Sequence, residues 1–193
     1  MRAWRSSWLV FALFGFALLI VAFSHRYGVK QFARTLVFGQ QASGRAHLSL
    51  GDSVPPITFV DLLGARATVQ AEPHHVLVLN VFATWCPDCI KEAPALSKLR
   101  GAYAGKPVDI VGIDQDENPA AVLQFARTYG LNFPMFIDHQ HQTEAVLGVH
   151  YIPATFVVDD RGLVWGDVAG PLTLPQMKQL VQTGLAHLSR HPL

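Results

Sequence analysis

Apolar and polar positions along the chain fall into three regimes. Residues 8–23 (WLVFALFGFALLIVAF) form an unbroken apolar run without a charge or a proline. With its small flanking serines the run approaches the roughly 20 residues that cross a bilayer core. Residues 25–50 mix basic, polar and apolar side chains without a clear period, apart from a short amphipathic helix expected over 29–38. From Gly51 onward, short apolar runs alternate with turn residues in the manner of a folded α/β domain. The expected organisation is therefore a segment at 1–24, a juxtamembrane linker at 25–50 and a soluble domain at 51–193.

Within the domain, residues 57–61 and 67–69 flank Leu62-Leu63-Gly64 and predict a small hairpin. Residues 76–82 (VLVLNVF) read as a central strand buried on both faces, and 108–113 as a second one. A helix is expected from Cys89 to about Tyr103. Asn118-Pro119 supplies an N-cap and first position for a helix reaching Tyr129, where Gly130 stops it. A short segment follows at 135–137, and a helical turn or two at 144–147. Residues 154–158 and 163–168 make an antiparallel pair around the turn 159–162. Thr173 and Gln176 form a capping-box signal for a last helix over 174–188. The order β-β, β-α-β-α, β-β-α predicts an α/β fold with a mixed central sheet, helices on both faces and an N-terminal hairpin.

Composition narrows the function. Lys+Arg 15 against Asp+Glu 14 gives a net charge of +1, which leaves no electrostatic footprint for nucleic acid. The mean hydropathy of +0.25 is high for a soluble chain, and the apolar run at 8–23 accounts for it. Arg2 and Arg5 precede that run and Arg26, Lys30 and Arg34 follow it, so the flanking charge is nearly balanced. A long C-terminal domain translocates largely regardless of its own charge, which favours a signal-anchor helix with its N-terminus in the cytoplasm. A cleaved signal is the alternative, with Ala22-Phe23-Ser24 as a small-x-small site.

Two cysteines exclude a disulfide-stapled scaffold and a four-cysteine zinc site. They sit at Cys86-Pro87-Asp88-Cys89, after a predicted strand and at the opening of a predicted helix. A sulfur at a helix N-terminus meets the positive end of the dipole, which favours the thiolate and attack on a disulfide. A second thiol one turn away is within reach to resolve the mixed disulfide. Pro87 fits the first helical position. An inert staple would close only a four-residue loop and stabilise little. A metal would find only two thiolates.

Residues 81–89 (VFATWCPDC), with Ile152-Pro153-Ala154-Thr155-Phe156 downstream, resemble the thioredoxin superfamily, and within it the membrane-anchored TlpA/ResA/DsbE-like branch. The resemblance spans about residues 50–185. It implies a thioredoxin fold on the extracytoplasmic side of a bacterial inner membrane, single-pass, with the soluble domain in the periplasm. It also implies thiol–disulfide exchange without a cofactor, usually reductive, on protein thiols and disulfides such as those of apocytochrome c or of copper-site cysteines. A membrane or periplasmic electron donor is implied with it. Cys86 matches the exposed nucleophile and Cys89 the covered resolving thiol. Trp85, Pro87, Ile152 and Pro153 match the substrate-facing surface, Pro153 as a cis-proline and the Ile152 backbone as a strand-like rail. Glu92 matches the acid placed near the site in ResA-like proteins and shares the helix face of Cys89. An ordinary solvated first-turn glutamate is the alternative. Asn80 stands where thioredoxin itself has a buried acid, and an amide cannot take a proton.

Competing readings are an oxidase or isomerase of the same fold, a thiol-based copper chaperone and a peroxidase. The chaperone would need a third soft ligand, and the peroxidase a threonine where Ala83 stands. The nine histidines include loop pairs at His74-His75 and His139-x-His141, too sparse for a metal site. Asp114, Asp116 and Glu117 read as a solvated acidic turn. Asp88 and Glu92 oppose a thiolate, so the couple is expected to be reducing.

Overall fold

The computed structural model describes residues 48–115 and 118–188. The apolar run at 8–23, its cleavage site, the helix at 29–38 and nearly all of the linker lie outside the described residues. Among those described, no helix is long and apolar enough to cross a membrane. The elements are β1 (Ile57–Asp61), β2 (Arg66–Val69), β3 (Val76–Phe82), α1 (Pro87–Ala102), β4 (Val108–Asp114), α2 (Pro119–Tyr129), β5 (Met135–Ile137), α3 (Gln142–Leu147), β6 (Ala154–Val158), β7 (Val164–Ala169) and α4 (Leu174–Leu188).

The strands form one seven-stranded sheet in the order β2-β1-β5-β4-β3-β6-β7. β3 and β5 run parallel to β4, while β1 and β6 pair antiparallel with β5 and β3. The sheet is thus mixed, as the pattern predicts. Every residue of β3 is buried, because alternate side chains enter two different cores. Val76, Val78 and Phe82 join Leu96 and Leu99 of α1, Phe125 of α2 and Leu180 of α4. Leu77, Leu79 and Val81 join Ile57, Phe59, Phe156 and Leu147 of α3 on the other face. Three helices therefore cover one face. The six-residue α3 and connecting segments cover the other, where a cavity of ≈ 400 Å³ lies among Leu77, Leu79, Leu147, Phe156 and Val158.

The helix ends follow the sequence signals. Asn118 accepts hydrogen bonds from the N–H groups of Ala120 (3.1 Å) and Ala121 (3.3 Å), and Gly130 ends α2 at φ 65°, ψ 36°. The Gln176 carbonyl accepts from both the Thr173 N–H (2.8 Å) and hydroxyl (2.6 Å), capping α4. α4 lies close to the sheet at Gly184, where a Cβ would stand 2.7 Å from Val157 Cγ1 and 3.0 Å from Val76 Cγ1.

Two expectations need correction. α1 begins at Pro87 rather than Cys89, because Cys86 serves as N-cap and Pro87 opens the helix. Asp114 is no solvated turn residue: β4 continues through it between Phe82 and Ile137, and it is fully buried. Asp116 and Glu117 lie outside the described residues.

The sheet has two distinct poles along the strand direction. Ile152 and Pro153 precede β6 at one pole. The β6–β7 turn lies at the other, where Ser53 bridges Leu163 and the Gly51 N–H donates to the Val164 carbonyl at 2.8 Å. Asp159 closes that turn. Its buried carboxylate accepts from the Arg161 and Leu163 backbone N–H groups (2.9 Å each), from Arg161 Nη2 (2.7 Å) and Nε (3.2 Å), and from Trp165 Nε1 (2.9 Å).

Candidate active site

β3 ends at Phe82, and after the four residues 83–86 the chain turns into α1 at Pro87. The Cys86 N–H donates to the Ala83 carbonyl (3.2 Å) and the Ile90 N–H to the Cys86 carbonyl (3.0 Å). Cys86 Sγ takes the place of a capping oxygen and accepts from the Cys89 N–H at 3.3 Å. One orphan donor of the helix start is thereby satisfied by the sulfur itself. Cys86 and Cys89 are joined as a disulfide with their Cα atoms 5.2 Å apart.

The two sulfurs do not differ in exposure as expected: Cys86 is 5% exposed and Cys89 2%. In this oxidised form both are covered, and what separates them is position, Cys86 at the cap and Cys89 inside the first turn. The exposed residues are the neighbours. Trp85 is 65% exposed and Tyr151 64%, and Pro87 is exposed as well. Tyr151 comes next to the site because Ile152 does: the Ile152 carbonyl oxygen lies 3.8 Å from Cys86 Sγ. Ile152–Pro153 is a cis peptide, and the Gly170 N–H donates to the Pro153 carbonyl at 2.7 Å, tying this loop to the end of β7.

Glu92 is not a solvated glutamate. It is 2% exposed and faces the sheet one turn beyond Cys89. Its Oε1 accepts from the Leu172 backbone N–H at 2.8 Å and its Oε2 from Asn80 Nδ2 at 2.9 Å. Burial penalises the charged form and lifts the pKa to about 7, against the opposing pull of those two hydrogen bonds. A carboxyl that titrates near neutrality beside a thiol is suited to proton exchange with it. Asp88, by contrast, is drawn outward to Lys91 Nζ at 2.8 Å. Of the two acids expected to oppose a thiolate, Asp88 therefore has a cation at hand, whereas Glu92 is paired with no cation among the described residues.

Sequence reasoning treats Asn80 as a departure from thioredoxin and leaves out its contact with Glu92. The available signal is that Asn80 is the polar residue in an apolar run and shares the face of Val78 and Phe82, on which α1 packs. Thr155, Leu172 and Tyr151 were also missed. His74 and His75 are engaged with carboxylates: His75 Nδ1 lies 2.8 Å from Asp109 Oδ2, and the His74 backbone N–H donates to Asp160 Oδ2 at 2.8 Å. Among the described residues no group of three or more His, Cys, Asp or Glu side chains is arranged to hold a metal ion.

A cysteine pair opening a helix at the end of a central strand, set against a cis-proline loop, defines a thiol:disulfide oxidoreductase of thioredoxin-like fold. The family model for Redoxin matches residues 49–180. The thiol-disulfide oxidoreductase ResA of Bacillus anthracis is 32% identical over 131 residues, 68% of this chain and 76% of that protein. The protein of the same name from Bacillus subtilis (strain 168) is 28% identical over 137 residues, 71% and 76% of the two chains. Among solved structures, a thioredoxin-family thiol:disulfide interchange protein from Chlorobium tepidum TLS superposes with a TM-score of 0.62 at 25% identity, covering 72% of this chain and 99% of that one. A secreted Mycobacterium tuberculosis disulfide oxidoreductase homologous to E. coli DsbE gives a TM-score of 0.56 at 28% identity, covering 68% and 96%. The chain belongs to the Redoxin family and is a thiol:disulfide oxidoreductase of the ResA/DsbE-like kind.

Proposed function

We propose that this protein is a membrane-anchored, extracytoplasmic reductase of client protein disulfides, with apocytochrome c or copper-site cysteines as the client class. The observation that carries the reading is the buried, neutral-range Glu92 one turn beyond a Cys86–Cys89 pair that caps its own helix. In the reduced enzyme the Cys86 thiolate attacks a client disulfide, forming a mixed disulfide and releasing one client sulfur as a thiolate, which takes a proton from water. Glu92 then takes the proton of Cys89, whose thiolate attacks the Cys86 sulfur and releases the second client sulfur as a thiolate, protonated in turn from water. Two electrons pass to the client, and the Cys86–Cys89 disulfide is reduced again by a dithiol donor in the membrane or periplasm. The client backbone lies along Ile152 beside Pro153, with Trp85, Pro87 and Tyr151 exposed around it. The anchor is the apolar run at 8–23.

The direction of the reaction follows from charge. Glu92, with no cation within its hydrogen-bonded set, opposes a second negative charge on the nearby sulfurs, so the reduced form gains little extra stabilisation. A midpoint of roughly −230 to −290 mV, near that of thioredoxin, is expected. Trapping tests the whole reading. A Cys89→Ser variant expressed in cells should accumulate mixed disulfides through Cys86 in the membrane fraction. Mixed disulfides through Cys86 in the cytosolic fraction, or a midpoint above about −180 mV, would replace this reading with a cytosolic enzyme or an oxidase.

A further inference from the structure

Asn80 is 1% exposed and is the register partner of Thr155 across β3 and β6. Its Nδ2 lies 3.0 Å from Thr155 Oγ1 and 2.9 Å from Glu92 Oε2. A carboxamide nitrogen has two N–H groups, so one nitrogen serves both acceptors. A donor that can neither give up nor accept a proton is thus fixed, from the strand side, against a carboxyl that does both.

We propose that Asn80 is a positioning residue for the Glu92 proton: held by Thr155, it aims one N–H at Oε2, fixes the carboxyl in a single orientation and favours its ionised form. This deepens the reading of Glu92 as proton acceptor and rests on it for its catalytic consequence. When the Cys89 S–H bond breaks and an O–H bond forms on Glu92, each carboxyl oxygen already receives one N–H, from Leu172 and from Asn80. The incoming proton is confined to a remaining lone pair and is opposed by both donors, so it is readily passed on. The elements packed here add few charges. β3, β6 and residues 170–173 contain none. On α1, Asp88 and Lys91 pair with each other, and exposed Lys98 and half-buried Arg100 lie about two turns further along. β7 brings Asp167, and α4 brings exposed Lys178 and half-buried His187, the latter stacked on Trp165 with ring centroids 3.5 Å apart.

The test is a pH titration of the Glu92 carboxyl by infrared difference spectroscopy on the oxidised full chain in detergent, with Glu92→Gln identifying the band. A charge-assisted hydrogen bond of ordinary strength is equivalent to about one to two pH units, so Asn80→Ala should raise the midpoint by about that much. Asn80→Asp should replace the single step by two coupled ones. The pH profile of kcat/KM for a protein disulfide should move with the midpoint, and the movement should vanish in a Glu92→Gln background. Should Asn80→Ala not fold, Thr155→Val, which frees the amide without removing it, should still raise the midpoint by a smaller amount. Variants that lose stability while the Glu92 midpoint stays in place would overturn the inference and leave Asn80 as packing. A midpoint that moves while the rate profile does not would uphold the inference and instead remove Glu92 from the chemistry.

Discussion

Glu92 and Asp159 are both buried carboxylates of one domain, at opposite poles of the same sheet, and burial pushes each toward the neutral form. Glu92 has two N–H donors, neither charged, and burial prevails: its pKa rises to about 7. At Asp159, burial is outweighed by the hydrogen bonds of Trp165, Arg161 and Leu163, and the pKa falls below the ordinary 3.8. Glu92 lies deeper from solvent and has the fewer donors, and depth of burial together with the number and charge of the donors decides which side wins. The far pole uses a permanent anion to lock a turn. The redox pole keeps a carboxyl that titrates near neutrality.

Four measurements would break or sharpen that contrast. Replacing a sulfur has the largest effect: Cys86→Ser should reduce turnover of a protein disulfide to background, whereas Asp159→Asn, remote from the site, should leave turnover unchanged. Loss of activity in both would mean that the poles are coupled. The next effect lies in pH-dependent stability. From about pH 4.5 to 7 the folded chain holds a proton on Glu92 that the unfolded chain has released, so stability falls as pH rises through that window, by about 3 kcal/mol. Urea midpoints of wild type and Glu92→Gln should diverge accordingly, and parallel curves would contradict the raised pKa.

Asp159→Asn should cost about 1–3 kcal/mol at pH 7, since an amide turns a donor toward groups that are already donors. The wild-type contribution is complete above pH 3.8 and is lost as pH falls through the lower folded value, opposite in sign to Glu92. Thermal unfolding at pH 7 and pH 3 tests both statements. The smallest effect is expected from Gly184→Ala. Its Cβ would press on Val157 and Val76 at a cost of about 1–3 kcal/mol, offset by about 1 kcal/mol of helix propensity. Its Glu92 titration should match wild type. A shift would show that packing strain at α4 reaches the carboxyl.

Much of the fold is legible because its signals are local. Uninterrupted apolar runs delimit β3 and β6, and Asn118, Gly130 and Thr173 mark helix ends by their own side chains or backbone freedom. The C-x-x-C pair is equally local. The properties of Glu92, Asp114 and Asp159 are not. Position in the sequence makes each an acid in a first turn, a loop or a β-turn, and only the packing of distant elements buries it. Glu92 meets Asn80 and Leu172 from twelve and eighty residues away. The burial of Cys86 in the disulfide form is equally non-local, since the Ile152 carbonyl beside it lies sixty-six residues downstream.

The polarity of the sheet has a practical consequence for handling the protein. Residues 51–54 run beside Leu163 and Val164, at the pole away from Ile152 and Pro153. The four residue steps from Ala154 to Val158 amount to about 13 Å of strand. A fusion partner, fluorescent label or solid support attached just ahead of Leu48 therefore joins the domain on its far side. Such a conjugate should still present Trp85, Tyr151 and the sulfurs between them to incoming protein. The domain is in effect a one-ended tool, gripped at one pole and working at the other.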